Sequence, residues 1–591
     1  MQHPKLEHIE VFRGVAVLLV LLFHLSTPGF SYAYLGVDSF FVISGFLMAL
    51  LYGGMDDRAA VGNFYRRRLA RLLPAYFCVL LISTVAAAAI VLPHEYADAS
   101  RYTIWSAVLA PNVGFWMDAD YFDSAYFHPV LNFWSLGVEL QFYLVFPLIV
   151  YLHRRVPWLT FVITMASLAL FLMMSEVSPK TAFFQTPARI WQFMAGFYVA
   201  RWRLRALPPL LRNAALPAVV GLILAAPYLR FDAAFLAAAV TALTALCLIS
   251  GMTKGFESAP PARFFKLLGK YSYSIYLVHY PVIVFLAYEP FGATNLALVW
   301  PGEHFAAVVL IAVLSFALFH LVEKPLRSKR SRRFVIGTMT AGAALSGATA
   351  AVASPLASAD LSPKQELAVS AWFDRLPYRC PKMARILHPL EESCQISGEK
   401  GRGWLLVGDS HADVLKDVLS DEIQRSGGGR LRLMVSNDAV GQGLTPREVL
   451  DEARDWNIDT VVVHSTAGHM DADAIAALAK QAVREQVKVV VVAPVPSPRY
   501  NVPKRIFISL QDGEPIKLES SLTSYVGRHR RLLRELKQIP YARIFYPADI
   551  LCQPRCAVQD NTGTPLYIDG GHLSQTGVET LRPVLRRIAS I

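Results

Sequence analysis

The stretch from Ile9 to Leu25, IEVFRGVAVLLVLLFHL, is long and apolar enough to cross a bilayer, yet an arginine and a histidine lie inside it. Arg13 and His24 are eleven residues apart. At about 100° per residue that separation closes on three turns of a helix, so both side chains share one face, about 16 Å apart along the axis. Arg13 then lies near one membrane surface and His24 about half a bilayer deeper. An ionisable group at depth is costly unless it faces a bundle interior or a water-filled cavity, which makes this helix a candidate functional element. The alternative is a histidine that does no more than bond to a neighbouring backbone carbonyl.

The rest of the chain extends this reading. Of 591 residues, 54% are hydrophobic, and the apolar content is concentrated in the first ~350. The opening segment lacks a small-residue cleavage site and is followed at once by further apolar runs, so it is not a removable signal peptide. Eleven candidate spans run over 9–28, 34–53, 72–92, 131–152, 157–175, 186–202, 214–230, 233–251, 272–290, 303–322 and 334–353. Basic residues collect after every second span: Arg66, Arg67, Arg68 and Arg71; His153, Arg154 and Arg155; Arg201, Arg203 and Arg205; Lys254, Arg263, Lys266 and Lys270; and Lys324 to Arg333. The long loop 93–130 is acidic by contrast. This alternation predicts a cytoplasmic N-terminus and an outer compartment for everything after span eleven. The net charge of +12 is therefore mostly a topology signal and gives no support to nucleic-acid binding.

The chain divides into a membrane part, 1–353, a Ser/Pro/Ala-rich linker, 354–399, and an outer domain, 400–591. In the last of these, Val-rich runs WLLVGD, LRLMVS, DTVVVH and VKVVVVAP alternate with helical patterns, which predicts an α/β fold with a parallel sheet covered on both faces. Of six cysteines, Cys78 and Cys247 lie within spans. Cys380, Cys394, Cys552 and Cys556 lie outside, in an oxidising compartment, where pairing 380–394 and 552–556 is favoured over a four-cysteine zinc site.

Two constellations carry chemistry. GDSHA, 408–412, puts Ser410 at the carboxyl edge of the first outer strand, and DGGHLSQTG, 569–577, supplies Asp569 and His572 on one loop. A serine there, with an acid and a base at the far end of the same α/β domain, matches nucleophilic acyl chemistry. The pattern resembles the SGNH/GDSL hydrolase family, whose nucleophile and D-x-x-H pair correspond to Ser410, Asp569 and His572. Gly441 or Gly443 stands for that family's oxyanion glycine. Its oxyanion asparagine has no counterpart, because DTVVVH runs into STAGH.

Residues 5–330 resemble the acyltransferase-3 family of integral membrane O-acyltransferases. The match is carried by Arg13 and His24, by GVDSFFVISGFLM, by Arg68 and Arg71 in FYRRRLARLLPAY, by Glu139 in WSLGVELQFYLVFP, and by YSYSIYLVHYP and VEKPLR. The resemblance implies a bacterial inner-membrane enzyme moving an acyl group, most simply acetyl, from cytoplasmic acyl-CoA to a hydroxyl of an envelope glycan such as lipopolysaccharide O-antigen. That acceptor is free or lipid-linked. Arg68 and Arg71 would hold the phosphates of acetyl-CoA, although positive-inside topology also explains such a cluster. His24 would act as general base or acyl carrier, and Arg13 and Glu139 would assist. Ser410, His572 and Asp569 would relay or trim the ester, and no metal is expected. Asp38 and His279 are weaker candidates, and Lys324 and Arg327 set topology. A transporter, or an anchored periplasmic esterase, is the competing class. Neither explains charges at membrane depth together with an external Ser–His–Asp set.

Overall fold

A computed structural model of the chain describes residues 7–591 apart from 56, 119–126, 202–207, 230, 293, 328–331, 357–360, 377–379, 381–390, 436–438, 499 and 514–520. It divides into two compact units, Met1–Ala359 and Asp360–Ile591.

The first unit is helical, and each of the eleven expected spans falls on a helix. Seven helical stretches among the described residues are long and apolar enough to cross a membrane by length and composition. The helices that build the site are α1 (Glu7–His24), α2 (Gly36–Tyr52), α3 (Arg58–Ile90), α4 (Phe133–Arg155), α5 (Thr186–Arg201) and α6 (Pro260–Leu286). Two tight pairs organise them. In α1 and α6, a methyl added at Gly14 would sit 1.9 Å from the Phe265 carbonyl oxygen, and one at Gly269 would sit 1.8 Å from that of Glu10. In α2 and α5, Gly45 lies against the Phe193 carbonyl and Gly196 against that of Val42, at 1.8 and 1.9 Å by the same measure. With no hydrophobic drive between helices in lipid, close backbone approach at small residues is what holds such pairs. Both pairs run parallel: His24 meets His279, beyond the glycine crossing, and Asp38 and Gly53 meet Arg189 and Arg201 at the two ends of the other.

The expected third span begins later than the helix that carries it. α3 starts at Arg58, where the Asp57 carboxylate caps the Ala60 N–H at 2.6 Å, and no proline interrupts it before the arginines. Arg66, Arg67, Arg68 and Arg71 are therefore helical, and Arg68 is buried instead of lying in a surface loop.

The second unit carries strands β1 (Cys394–Ser397), β2 (Arg402–Gly408), β3 (Gly429–Val435), β4 (Ala439–Val440), β5 (Gly443–Leu444), β6 (Thr460–His464), β7 (Lys488–Val492) and β8 (Ala542–Phe545). The main sheet has the order β1-β3-β2-β6-β7-β8 and is parallel except for β1. Chain order reverses between β2 and its neighbours β3 and β6, so the carboxyl ends of β2 and β6 form the switch point at which open α/β sheets bind ligands. Fully buried Leu405, Val407, Val461 and Val463 on these strands form the core, as their unbroken apolar runs require.

Part of the stretch read as linker belongs to this unit. β1 adds an edge strand, and helix α7 (Pro363–Trp372) is followed by Asp374, whose carboxylate accepts the Thr576 N–H and hydroxyl at 2.9 and 2.8 Å. Cys380–Cys394 and Cys552–Cys556 are disulfide-bonded.

Candidate functional site

Within the helical unit, α1, α2, α3, α4 and α6 line a partly open pocket. Its polar lining includes Arg13, Arg68, Arg71, Glu139, Ser44 and Tyr143; Phe40, Phe41, Leu47 and Met48 supply an apolar wall. Four of the residues singled out from sequence, on three different helices, thus meet in one space. Glu139 Oε1 accepts the Ser44 hydroxyl at 2.5 Å and the Tyr143 hydroxyl as well, so the embedded carboxylate is solvated by protein donors. The Arg68 guanidinium lies over the Tyr52 ring at 5.0 Å, and its Nε has no hydrogen-bond partner among the described residues.

His24 does not join that cluster. It is 3% exposed, beyond the arginines along α1, and its Nδ1 lies 3.0 Å from the Val20 carbonyl and 3.2 Å from Nε2 of His279. Tyr276 connects the two places, since it lines the cavity and its ring centroid lies 5.5 Å from that of His279. Asp38 is buried in an ion pair with Arg189 at 2.9 Å, with Gln192 also bonded to it, on the face of α2 turned to α5. A buried structural pair accounts for it.

In the second unit the expected set assembles. Ser410 Oγ is 2.7 Å from His572 Nε2, and His572 Nδ1 donates to Asp569 Oδ2 at 2.8 Å. The local chain explains both ends. Gly408, at the end of β2, has φ +152°, and a methyl there would lie 1.7 Å from the His464 carbonyl oxygen, so only glycine lets the chain turn Ser410 out beside β6. On the other side, Asp569 Oδ1 accepts the N–H groups of Gly571 and His572 at 2.7 Å each, and the Ile568 N–H bonds the His572 carbonyl at 3.0 Å. The three-residue spacing is that of an acid closing its own turn around the base. Burial would raise the Asp569 carboxyl, but His572 and those two N–H groups outweigh it and hold it at about 2. It stays ionised and fixes Nδ1–H on His572, leaving the Nε2 lone pair toward Ser410.

Several residues beside Ser410 were not singled out from sequence. Helix α8 (Ser410–Asp413) carries His411, 6% exposed, with its ring 4.3 Å from that of His572. Burial first, then His572 and His464, pushes it down to about 3, so it is neutral against the base. Asp409 accepts the N–H groups of His411 and Thr466 at 2.9 and 3.0 Å and lies 3.1 Å from His469 Nδ1. Burial would raise its carboxyl, but these N–H groups hold it below the usual range. STAGH, where an asparagine was sought, thus binds the Asp409 carboxylate. The signal was the D-S-H order itself, in which both neighbours of the serine are ionisable. Of the oxyanion candidates, Gly441, at φ +93°, packs against Asp471 and Ala474, and Gly443 lies on the neighbouring strand β5. Residues 436–438 lie outside the described residues.

Two family models match the chain: an acyltransferase domain over residues 6–322, and the SGNH domain found fused to such domains over residues 379–587. The O-acetyltransferase OatA of Staphylococcus aureus strains NCTC 8325 and COL is 26% identical to it over 368 residues, covering 56% of this chain and 59% of theirs. The chain thus spans somewhat more than half the length of the curated relatives it matches. The solved periplasmic domain of a lipopolysaccharide acetyltransferase from Salmonella Paratyphi A aligns over 39% of this chain and 98% of its own, at 15% identity and a TM-score of 0.28.

Proposed function

The chain belongs to the acyltransferase family whose model matches residues 6–322, and on that premise we propose that it is a membrane O-acetyltransferase. It takes acetyl from cytoplasmic acetyl-CoA and delivers it to hydroxyls of a cell-envelope glycan such as lipopolysaccharide O-antigen. The N-terminus is cytoplasmic and the SGNH unit periplasmic in the bacterial inner membrane, a reading the alternation of basic loops supports. One observation carries the reading: an arginine-lined cavity among the membrane helices and a Ser410–His572–Asp569 set in the outer unit lie on the same chain.

The cavity fits an anionic thioester donor. Arg68, buried with an orphaned Nε, and Arg71 offer charge and donors to phosphate oxygens, while the aromatic and aliphatic wall suits an uncharged arm. The donor supplies an activated acyl carbonyl. Glu139 opposes the arginines and offsets their charge at depth, and His24 takes the proton of a carrier alcohol as its oxygen attacks the thioester carbonyl, the C–S bond breaking and the departing CoA thiolate taking that proton up. In the outer unit Ser410 Oγ attacks the carbonyl of that carrier ester as His572 removes its proton and returns it to the departing carrier alcohol, giving an ester on Ser410 and a neutral His572. The glycan hydroxyl then displaces Ser410, its proton passing through His572 back to Oγ.

Mass spectrometry of envelope glycans from cells expressing wild type, a deletion, His24→Ala and Ser410→Ala tests this. Ester loss in the deletion and in both variants is the expected result. Esters kept in Ser410→Ala would make the outer unit an editor, and esters kept in the deletion would remove the assignment. The intact triad also favours a second reading, a membrane-anchored esterase. In that case deletion raises glycan ester content and His24→Ala has no effect.

A further inference from the structure

We propose that His279 is a positioning residue for His24, locking it in the one tautomer that presents a basic Nε2; this rests on the acyltransferase reading above, in which His24 is the base. The assignment follows from the acceptors around the pair. His279 Nδ1 is 3.1 Å from the Ile275 carbonyl, one turn back on α6, and a carbonyl can only accept, so the proton of His279 is on Nδ1. Its Nε2 is then a lone pair, and it faces His24 Nδ1 at 3.2 Å. His24 Nδ1 also faces the Val20 carbonyl at 3.0 Å. Both neighbours of that atom are acceptors, so the proton of His24 is on Nδ1 and is shared between them. The lone pair of His24 is on Nε2.

The surroundings hold this arrangement. His24 and His279 are 3% and 1% exposed. The Tyr280 ring stands edge-on to His24 with centroids 5.0 Å apart, and the Tyr276 ring lies 5.5 Å from His279. The glycine crossing at Gly14 and Gly269 sets the distance between α1 and α6, and therefore the hydrogen bond between the two imidazoles. In the outer unit an aspartate orients the base His572 through Nδ1. In the membrane unit a neutral histidine does the same for His24 without placing a net negative charge in a low-dielectric interior. When His24 takes a proton, its Nδ1–H bond to the His279 lone pair becomes charge-assisted and strengthens, so the support is greatest when the base is loaded.

The test uses the full-length chain in inner-membrane vesicles supplied with radiolabelled acetyl-CoA, with label counted in the glycan fraction. The variants are His24→Ala, His279→Ala, His279→Phe and His279→Gln, with folding checked by elution and melting in detergent. His279→Ala and His279→Phe are expected to lower kcat by about 10–100-fold, as loss of a partner that orients a functional histidine does elsewhere, with KM for acetyl-CoA unchanged. His279→Gln, whose Oε1 can accept from His24 Nδ1, is expected to recover most of the rate. A folded His279→Gln no faster than His279→Ala overturns the positioning role, as does His279→Ala at wild-type rate beside an inactive His24→Ala. His24→Ala at wild-type rate overturns the reading on which the proposal stands, and the proposal with it.

Discussion

The α2–α5 contact makes a sharp prediction for Gly45→Ala. The new methyl would lie 1.8 Å from the Phe193 carbonyl oxygen and 2.6 and 2.8 Å from its carbonyl carbon and Cα. All three atoms are backbone, so no rotamer change relieves the clash. The helices must part by about 1.5 Å or more to regain ordinary contact. Overpacking of well-packed interiors costs about 1–3 kcal/mol, and a backbone-on-backbone clash belongs at the upper end. The damage reaches the cavity too, because the neighbouring residue, Ser44, donates to Glu139 at 2.5 Å, and a shift of α2 breaks that bond. Thermal unfolding in detergent should therefore show a clear fall for Gly45→Ala, together with reduced acetyl transfer in membrane vesicles. Gly62→Ala is the control. It makes the same chemical change on α3 with nothing within 4 Å, and helix propensity makes it neutral or stabilising by up to about 1 kcal/mol. Gly196→Ala meets the Val42 carbonyl at 1.9 Å across the same crossing, so its cost and that of Gly45→Ala should be less than additive in the double variant. Wild-type melting and transfer for Gly45→Ala would refute the reasoning.

Three further outcomes are expected. Asp569→Asn should leave the outer unit folded but cut hydrolysis of p-nitrophenyl acetate by about 10⁴-fold, since His572 loses the acceptor that sets its tautomer; a loss under tenfold would show the aspartate is not its orienting partner. Arg68→Lys should raise KM for acetyl-CoA about tenfold with little change in kcat, because the planar fork over Tyr52 and the orphaned Nε are both lost; an unchanged KM would place the donor elsewhere. Finally, His411 is held at about 3 against an ordinary 6.5, so the unfolded chain binds a proton that the folded one refuses, and the outer unit should lose stability as pH falls from 6.5 toward 3. Asp569, held at about 2 against 3.8, adds a loss below pH 3.8. Hydrogen exchange of the β2 and β6 amides between pH 4 and 7 should be less pH-dependent in His411→Phe, and parallel profiles would contradict this.

Much of the molecule was determined by local sequence. Long apolar runs must bury their backbone polar groups in helices, and Val-rich runs between helical patterns must pair in a sheet covered on both sides, so the two units and the eleven helical segments were legible from periodicity and length. The site in the second unit was legible for a similar reason: Asp569 and His572 are held by one short turn, and Ser410 is placed by the strand end that Gly408 closes. What tertiary structure alone decided is which distant residues share a space. Arg13 and His24 lie on one helix, yet the first joins Arg68, Arg71 and Glu139 around a cavity while the second pairs with a histidine 255 residues away. His279 could be read as an ordinary core histidine until α6 was laid against α1. Helical spacing specifies only the face a side chain occupies. Which helix meets that face is set by where backbones can approach, here at Gly14, Gly269, Gly45 and Gly196, and that depends on both partners at once.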